Sequence, residues 1–174
     1  MSFRSSIWLL ALVAVVYLGR KMYLSPKYGE EEFVPAFEAT LLSGDTFRSS
    51  NLKGSFVLLH FWGSWCGPCR KENPEWVELY HQWNKVSKQK PDFEIVSVGI
   101  EQSRDVWIRA IQADNLDWPY QIGTFKRFKS PLAIQFGVRE IPTTYLIDPD
   151  GKVVLVNGTP DEIARLLEQS TIRD

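Results

Sequence analysis

Cysteine is almost absent: the 174-residue chain holds two, both inside the string Trp65-Cys66-Gly67-Pro68-Cys69. That excludes a scaffold stapled by several disulfides. Histidine is equally scarce, with only His60 and His81, no second CxxC and no HxxxH. The four ligands of a structural zinc site are therefore not assembled, and no metal is expected. No basic block is present. Lys and Arg number 20 against 21 Asp and Glu, a formal net charge of -1, so nucleic acid has no electrostatic attraction to this chain and is not an expected partner. Basic pairs such as Lys126-Arg127 read as solvated surface. Long uncharged apolar runs are limited to one, Ile7 to Gly19. The length suits one compact domain plus an appendage at that end.

What is present is a pair of cysteines at a strand-to-helix junction. Phe56-Val57-Leu58-Leu59-His60-Phe61-Trp62 is rich in β-branched and aromatic residues and reads as a buried central strand, while the residues after Cys69 show helical spacing. The cysteines thus open a helix, where unpaired N–H groups and the helix dipole favour a thiolate. Cys66 is the expected nucleophile. Cys69, one turn further, is placed to attack a mixed disulfide on Cys66 and release the partner reduced. Pro68 fixes the backbone where the loss of an N–H costs least. A purely structural bridge closing so short a loop would add little chain-entropy stabilisation.

Elsewhere the pattern alternates strands and helices. Phe37 to Phe47, with Ser43-Gly44-Asp45 at its middle, reads as a short hairpin. Pro74 falls one turn into the active-site helix and is expected to kink it, and Trp76, Leu79, Tyr80 and Trp83 recur at core spacing. Phe93 to Ile100 reads as a second buried strand. Ser103 to Ala113 reads as a helix capped by Ser103, with Val106, Trp107, Ala110 and Ile111 inward. Trp118-Pro119-Tyr120 is expected to be strand-like and Pro131 to Phe136 a short helix. Thr143 to Ile147 and Lys152 to Val156 flank the turn Asp148-Pro149-Asp150-Gly151, and Pro160 to Gln169 closes as an amphipathic helix.

The string Phe61-Trp62-Gly63-Ser64-Trp65-Cys66-Gly67-Pro68-Cys69-Arg70-Lys71-Glu72 resembles the membrane-anchored TlpA/ResA-like branch of the thioredoxin superfamily, and Ile141-Pro142-Thr143-Thr144-Tyr145-Leu146-Ile147-Asp148 is similar to that family's cis-proline loop and following strand. The resemblance covers about residues 36 to 170. It implies an α/β thioredoxin-like fold, a central mixed β-sheet flanked by helices, with Ile141 and cis Pro142 beside Cys66. Ile141's backbone groups would then be free to pair with an extended substrate, and Trp65, Gly67 and Pro68 would also face it. Glu72 matches an acidic position of this branch whose implied role is to take the proton of the resolving thiol; the alternative is a solvated first-turn glutamate. His60 departs from ordinary thioredoxins, which carry a buried aspartate there. It would act as a base, as a cation near the thiol, or simply as a packed core residue.

The implied activity is thiol-disulfide exchange with protein disulfides as substrates, in the reducing direction that Gly67-Pro68 matches, with apocytochrome c as a plausible client. No bound cofactor is implied. A thiol peroxidase of the alkyl hydroperoxide reductase type is an alternative, although its Pro-x-x-x-Thr-x-x-Cys pattern meets Gly63 three residues before Cys66. A non-catalytic docking module using the Ile141-Pro142 groove is another.

At about 1.5 Å per residue, Ile7 to Gly19 alone falls short of a hydrocarbon layer of roughly 30 Å. Ser5 and Ser6 on one side and Met22 to Leu24 on the other, with Arg20 and Lys21 snorkelling, extend it to the required length. A cleaved signal is disfavoured because no small-x-small site follows the run, and lipoprotein attachment because this end has no cysteine. Residues 1–24 are thus expected to be a membrane anchor, 25–35 a polar tether and 36–174 the thioredoxin-like domain. Flanking charge does not decide orientation. The resemblance implies a single-pass protein of the cytoplasmic membrane with its domain on the outer, periplasmic side, recharged by a membrane thiol carrier.

Overall fold

The computed structural model describes residues 3–86 and 93–171. Its centre is strand β3, Phe56–Trp62, whose unbroken apolar run suits a strand covered on both faces. β1 (Glu38–Thr40) and β2 (Thr46–Arg48) precede it as the expected antiparallel hairpin. β4 (Phe93–Ile100), β5 (Tyr120–Thr124), β6 (Thr143–Ile147) and β7 (Val153–Val156) complete a five-stranded sheet in the order β5-β4-β3-β6-β7. β4 runs parallel to β3 and to β5, whereas β6 is antiparallel to β3 and to β7. The sheet is mixed, as the resemblance implied. Parallel neighbours need long crossovers, and helices α2 (Gly67–Val86) and α3 (Arg104–Ala113) supply them. The antiparallel pair needs only a tight turn. There the Asp148 carboxylate accepts the N–H groups of Asp150 at 3.0 Å and Lys152 at 2.8 Å.

Alternation along β3 divides the core. Leu58 and Trp62 face a layer with Ile95, Trp76, Trp83, Trp107, Trp118, Ile163 and Leu167, which is covered by α2, α3 and α5 (Pro160–Thr171). Leu59 and Phe61 face the other layer, with Phe37, Phe47, Val96, Val98, Phe136 and Tyr145, covered by the β1–β2 hairpin and α4 (Pro131–Gln135). Caps follow composition at two helices. Ser130 Oγ accepts the Ala133 N–H at 3.3 Å to start α4, and Thr159 with Glu162 forms a reciprocal capping box on α5.

Three local expectations change. Ser103 precedes α3 but makes no side-chain cap, since only its carbonyl accepts the first helical bond, from Trp107 N–H. Val106 is 43 % exposed rather than inward, because Trp107, Ala110 and Ile111 already fill the narrow face toward the sheet. The fifth strand begins at Tyr120 and runs onward to Thr124, with Trp118 buried ahead of it and donating Nε1–H to Ser97 Oγ at 3.0 Å.

At the amino end, α1 (Phe3–Leu24) is a single 22-residue helix, and Ile7–Leu24 has a mean hydropathy of 1.6 with none of it buried by the rest of the chain. By length and composition it can cross a membrane. Residues 25–35, expected to be a polar tether, instead lie along the domain. Glu31 N–H donates to Val153 O (2.8 Å), Val153 N–H to Glu32 O (2.9 Å) and Val34 N–H to Gly151 O (3.1 Å), while Lys27 N–H reaches Phe136 O (3.3 Å). Phe33 forms a bridge with Lys152, so this strap satisfies part of the β7 edge that would otherwise be open. Gly137, at φ 65°, makes room for it: a Cβ there would lie 2.7 Å from Lys27 Cβ. Arg139 donates to Tyr23 O, its guanidinium 4.2 Å from that ring's centroid.

Candidate active site

β3 ends at Trp62, and the chain turns through Gly63–Trp65 before α2 starts at Gly67. Cys66 N–H closes the turn on Gly63 O at 3.0 Å, and Cys66 O accepts Arg70 N–H at 3.0 Å. Cys66 thus occupies the position flanking the helix start, and its sulfur accepts the backbone N–H of Cys69 at 3.2 Å. A negative sulfur at that position is favoured by the N–H and by the helix dipole. Cys66 and Cys69 are joined by a disulfide with an S–S distance of 2.06 Å. Cys66 is 5 % exposed and Cys69 fully buried, so attack from solvent has access to the first sulfur alone. Gly67 and Pro68 are exposed beside it, and Trp65 is 45 % exposed while its Nε1–H donates to Ile100 O at 2.7 Å.

The Ile141–Pro142 peptide bond is cis, and Cys66 Sγ lies 3.7 Å from Ile141 O. The Ile141 N–H has no partner among the described residues. Gly63 is required where Trp65 and Ile141 converge, because a Cβ there would sit 2.9 Å from Trp65 Nε1 and 3.1 Å from Ile141 Cδ1. A threonine, which the peroxidase pattern places at this position, would collide with both. Beyond Pro142 a groove of about 380 Å³ is lined by Pro68, Glu72, Trp76, Thr144 and Asn157. Pro68, Glu72 and Pro142 thus line this groove, while Cys66 lies against Ile141 and Trp65 and Gly67 are exposed beside it.

Comparison with known proteins agrees with this geometry. Residues 31–156 match the model of the AhpC/TSA family. The chain belongs to that family. It is 31 % identical over 157 residues to the thiol-disulfide oxidoreductase ResA of Bacillus subtilis, covering 87 % of this chain and 83 % of that one. It is 30 % identical over 170 residues to ResA of Geobacillus kaustophilus, covering 95 % and 92 %. Among solved structures, the thioredoxin domain of a thiol-disulfide oxidoreductase from Bacteroides vulgatus superposes with a TM-score of 0.71 at 25 % identity, over 82 % of this chain and 98 % of that one. A thiol-disulfide oxidoreductase from Bacteroides fragilis gives 0.68 at 26 %, over 79 % and 98 %. With these relatives and its bridged CxxC pair, this AhpC/TSA-family protein is a thiol-disulfide oxidoreductase of the thioredoxin-like kind.

Two titratable groups near the pair behave differently. Burial, with the charge of Glu75 as a second cause, raises the pKa of Glu72 above its usual value. His60 is entirely buried; desolvation pushes it down to about 3, leaving the ring neutral at ordinary pH. It stacks on Trp62 at 6.3 Å and packs against Trp76 at 6.0 Å, and neither nitrogen finds a hydrogen-bond partner. A cationic His60 beside the thiol is therefore ruled out by burial.

The residues that hold this family member's redox loop were not anticipated from sequence. Glu101, buried just past β4, accepts the Ser64 N–H and Ser64 Oγ–H, the latter at 2.9 Å. Arg70 reaches back to Ser64 O at 3.4 Å and forms a two-pronged ion pair with Asp114, its Nη2 2.6 Å from Oδ1. Asn73 Nδ2 donates to the same carboxylate at 2.7 Å. Every polar group of Ser64, two residues before Cys66, is thus fixed. An acidic residue directly after a continuous buried strand was the available signal for Glu101.

Proposed function

We propose that this enzyme reduces protein disulfides on the outer side of the cytoplasmic membrane, held there by α1, with Cys66 as nucleophile and Cys69 as resolving thiol. The observation that carries the reading is the position of Cys66 Sγ, which takes a backbone N–H from the helix start and lies 3.7 Å from the carbonyl oxygen of Ile141. An extended client segment would pair with Ile141 as an added strand. The Cys66 thiolate attacks one client sulfur and the client S–S bond breaks; the displaced sulfur leaves as a thiolate and takes up a proton. Cys69 then loses its proton, for which half-buried Glu72 is the proposed acceptor, and attacks Cys66 sulfur. The second client thiol leaves, two electrons have passed to the client, and the Cys66–Cys69 disulfide remains. A membrane thiol carrier would return the electrons by the reverse exchange. Apocytochrome c as client is supported by resemblance alone.

The exchange is tested with Cys69→Ser, which leaves Cys66 able to attack and unable to be released. Disulfide-linked proteins are expected to accumulate on that variant in membranes and to be absent from Cys66→Ser. Identical behaviour of the two variants would overturn the mechanism.

A further inference from the structure

Sequence alone reads Lys126-Arg127, which opens the run Lys126-Arg127-Phe128-Lys129, as ordinary solvated surface. The fold instead sets this run, which follows β5, against the redox loop. The Arg127 guanidinium carbon lies 4.9 Å from the centroid of the Trp65 ring, and Phe128 meets the same ring edge-on at 6.2 Å. Arg127 is held there by its N–H on Glu101 O at 3.2 Å and its Nη2 on Gln102 Oε1 at 3.0 Å. Lys126 and Lys129 are exposed and form no ion pair among the described residues. The Glu101 carboxylate is turned toward Ser64, from which both its oxygens accept. Across Pro142 the groove carries Glu72 and Glu75 against one cation, Lys71, so the Lys126–Lys129 side of Cys66 is the basic one.

We propose that Lys126, Arg127 and Lys129 form a docking shelf for client proteins that carry Asp or Glu within three residues of the disulfide cysteine under attack; this rests on the exchange of protein disulfides at Cys66. A client strand paired with Ile141 advances about 3.3 Å per residue, so side chains within two positions of the cysteine stand within roughly 7 Å of it along the strand. With Nη2 on Gln102 and Nε buried against Trp65, Nη1 is the part of the Arg127 guanidinium left for a carboxylate. The two lysines add attraction over distance and raise the encounter rate with acidic clients.

The test uses the reduced full-length chain in neutral detergent with three disulfides: two matched cyclic peptides, one flanked by Asp and one by Lys, and uncharged bis(2-hydroxyethyl) disulfide. The shelf requires kcat/KM for the acidic peptide to exceed that for the basic one by about tenfold or more at low salt. It also requires the preference to collapse near 1 M salt, where the screening length is about 3 Å. Lys126→Glu/Lys129→Glu is expected to reverse the preference while the uncharged disulfide reacts within about twofold of the parent. Equal rates on the two peptides, with the uncharged disulfide still reduced, would overturn the shelf and leave the exchange chemistry standing. A loss on the uncharged disulfide equal to that on the acidic peptide would also overturn it, since the lysines would then be acting through the fold. Inertness of the parent toward all three would overturn the exchange reading itself.

Discussion

His60 concentrates the cost of building a redox site on a buried strand. Its imidazole titrates near 6.5 when free in the unfolded chain and near 3 in the fold. Between those values the unfolded state binds the additional proton, so stability falls as pH drops, by about 1.4 kcal/mol per unit, and is unaffected by this group above 6.5. Denaturant unfolding of the parent and of His60→Leu at pH 7, 6 and 5 is expected to show that slope in the parent and a flatter dependence in the variant. Parallel curves would show that His60 is not held neutral by the fold. Glu72 has the opposite sign, from the same cause, burial. Its raised pKa favours the neutral acid in the fold, so its contribution is complete below the ordinary 4.5 and is lost as pH rises through the higher folded value. Glu72→Gln is accordingly expected to unfold at a higher temperature than the parent at neutral pH and at the same temperature in acid. Alkylation of Cys69 in the reduced variant should slow at neutral pH if Glu72 accepts its proton. At this scale the sequence was informative about the cysteines, since their chemistry depends on local position. For Glu101 it offered only an acidic residue directly after a buried strand and for Asp114 nothing, since their partners Ser64 and Arg70 lie 37 and 44 residues away.

Among the elements, α4 is short, yet it ends on Phe136, which is fully buried and packs against the rings of Tyr28, Phe37, Phe61 and Tyr145. Phe136 therefore joins strap, sheet and helix in one contact set. Phe136→Ala is expected to destabilise the domain by about 3–5 kcal/mol, measurable as a lowered denaturant midpoint, which is the range for removing a buried aromatic ring. A loss under 1 kcal/mol would mean that the strap and sheet close over the vacated volume. The element order and the two central strands were readable because apolar runs and Gly/Pro turns are local signals. Val106 was misread because its apolar character fits the α3 period while the helix sinks only one narrow face. Trp118 was misread because a buried indole ahead of a strand looks like strand.

For the whole molecule, the unanticipated feature is the strap from residue 25 to residue 35. Its hydrogen bonds to β7 and to Phe136 O are pairings between backbones, which side-chain pattern does not report, and its acidic run Glu30-Glu31-Glu32 imitates a solvated linker. Gly137→Ala tests it. The new Cβ would meet the Lys27 backbone while the residue is held at positive φ, so the strap should lift there. Limited trypsin digestion of the full chain is expected to cut after Lys27 several times faster in the variant than in the parent. Equal cutting rates would show that Lys27 is released regardless of the contact.

A linker free to wander lets a tethered enzyme sample a range of heights above a bilayer, at an effective concentration set by its length. The strap removes most of that slack. Were α1 in the membrane as proposed, with residues 27 to 34 fastened to the domain, Cys66 would be carried at nearly constant altitude and the search for a donor in the same bilayer would become lateral. The thiol of such a donor would have to project to that altitude, and a change in strap length would shift the two out of reach.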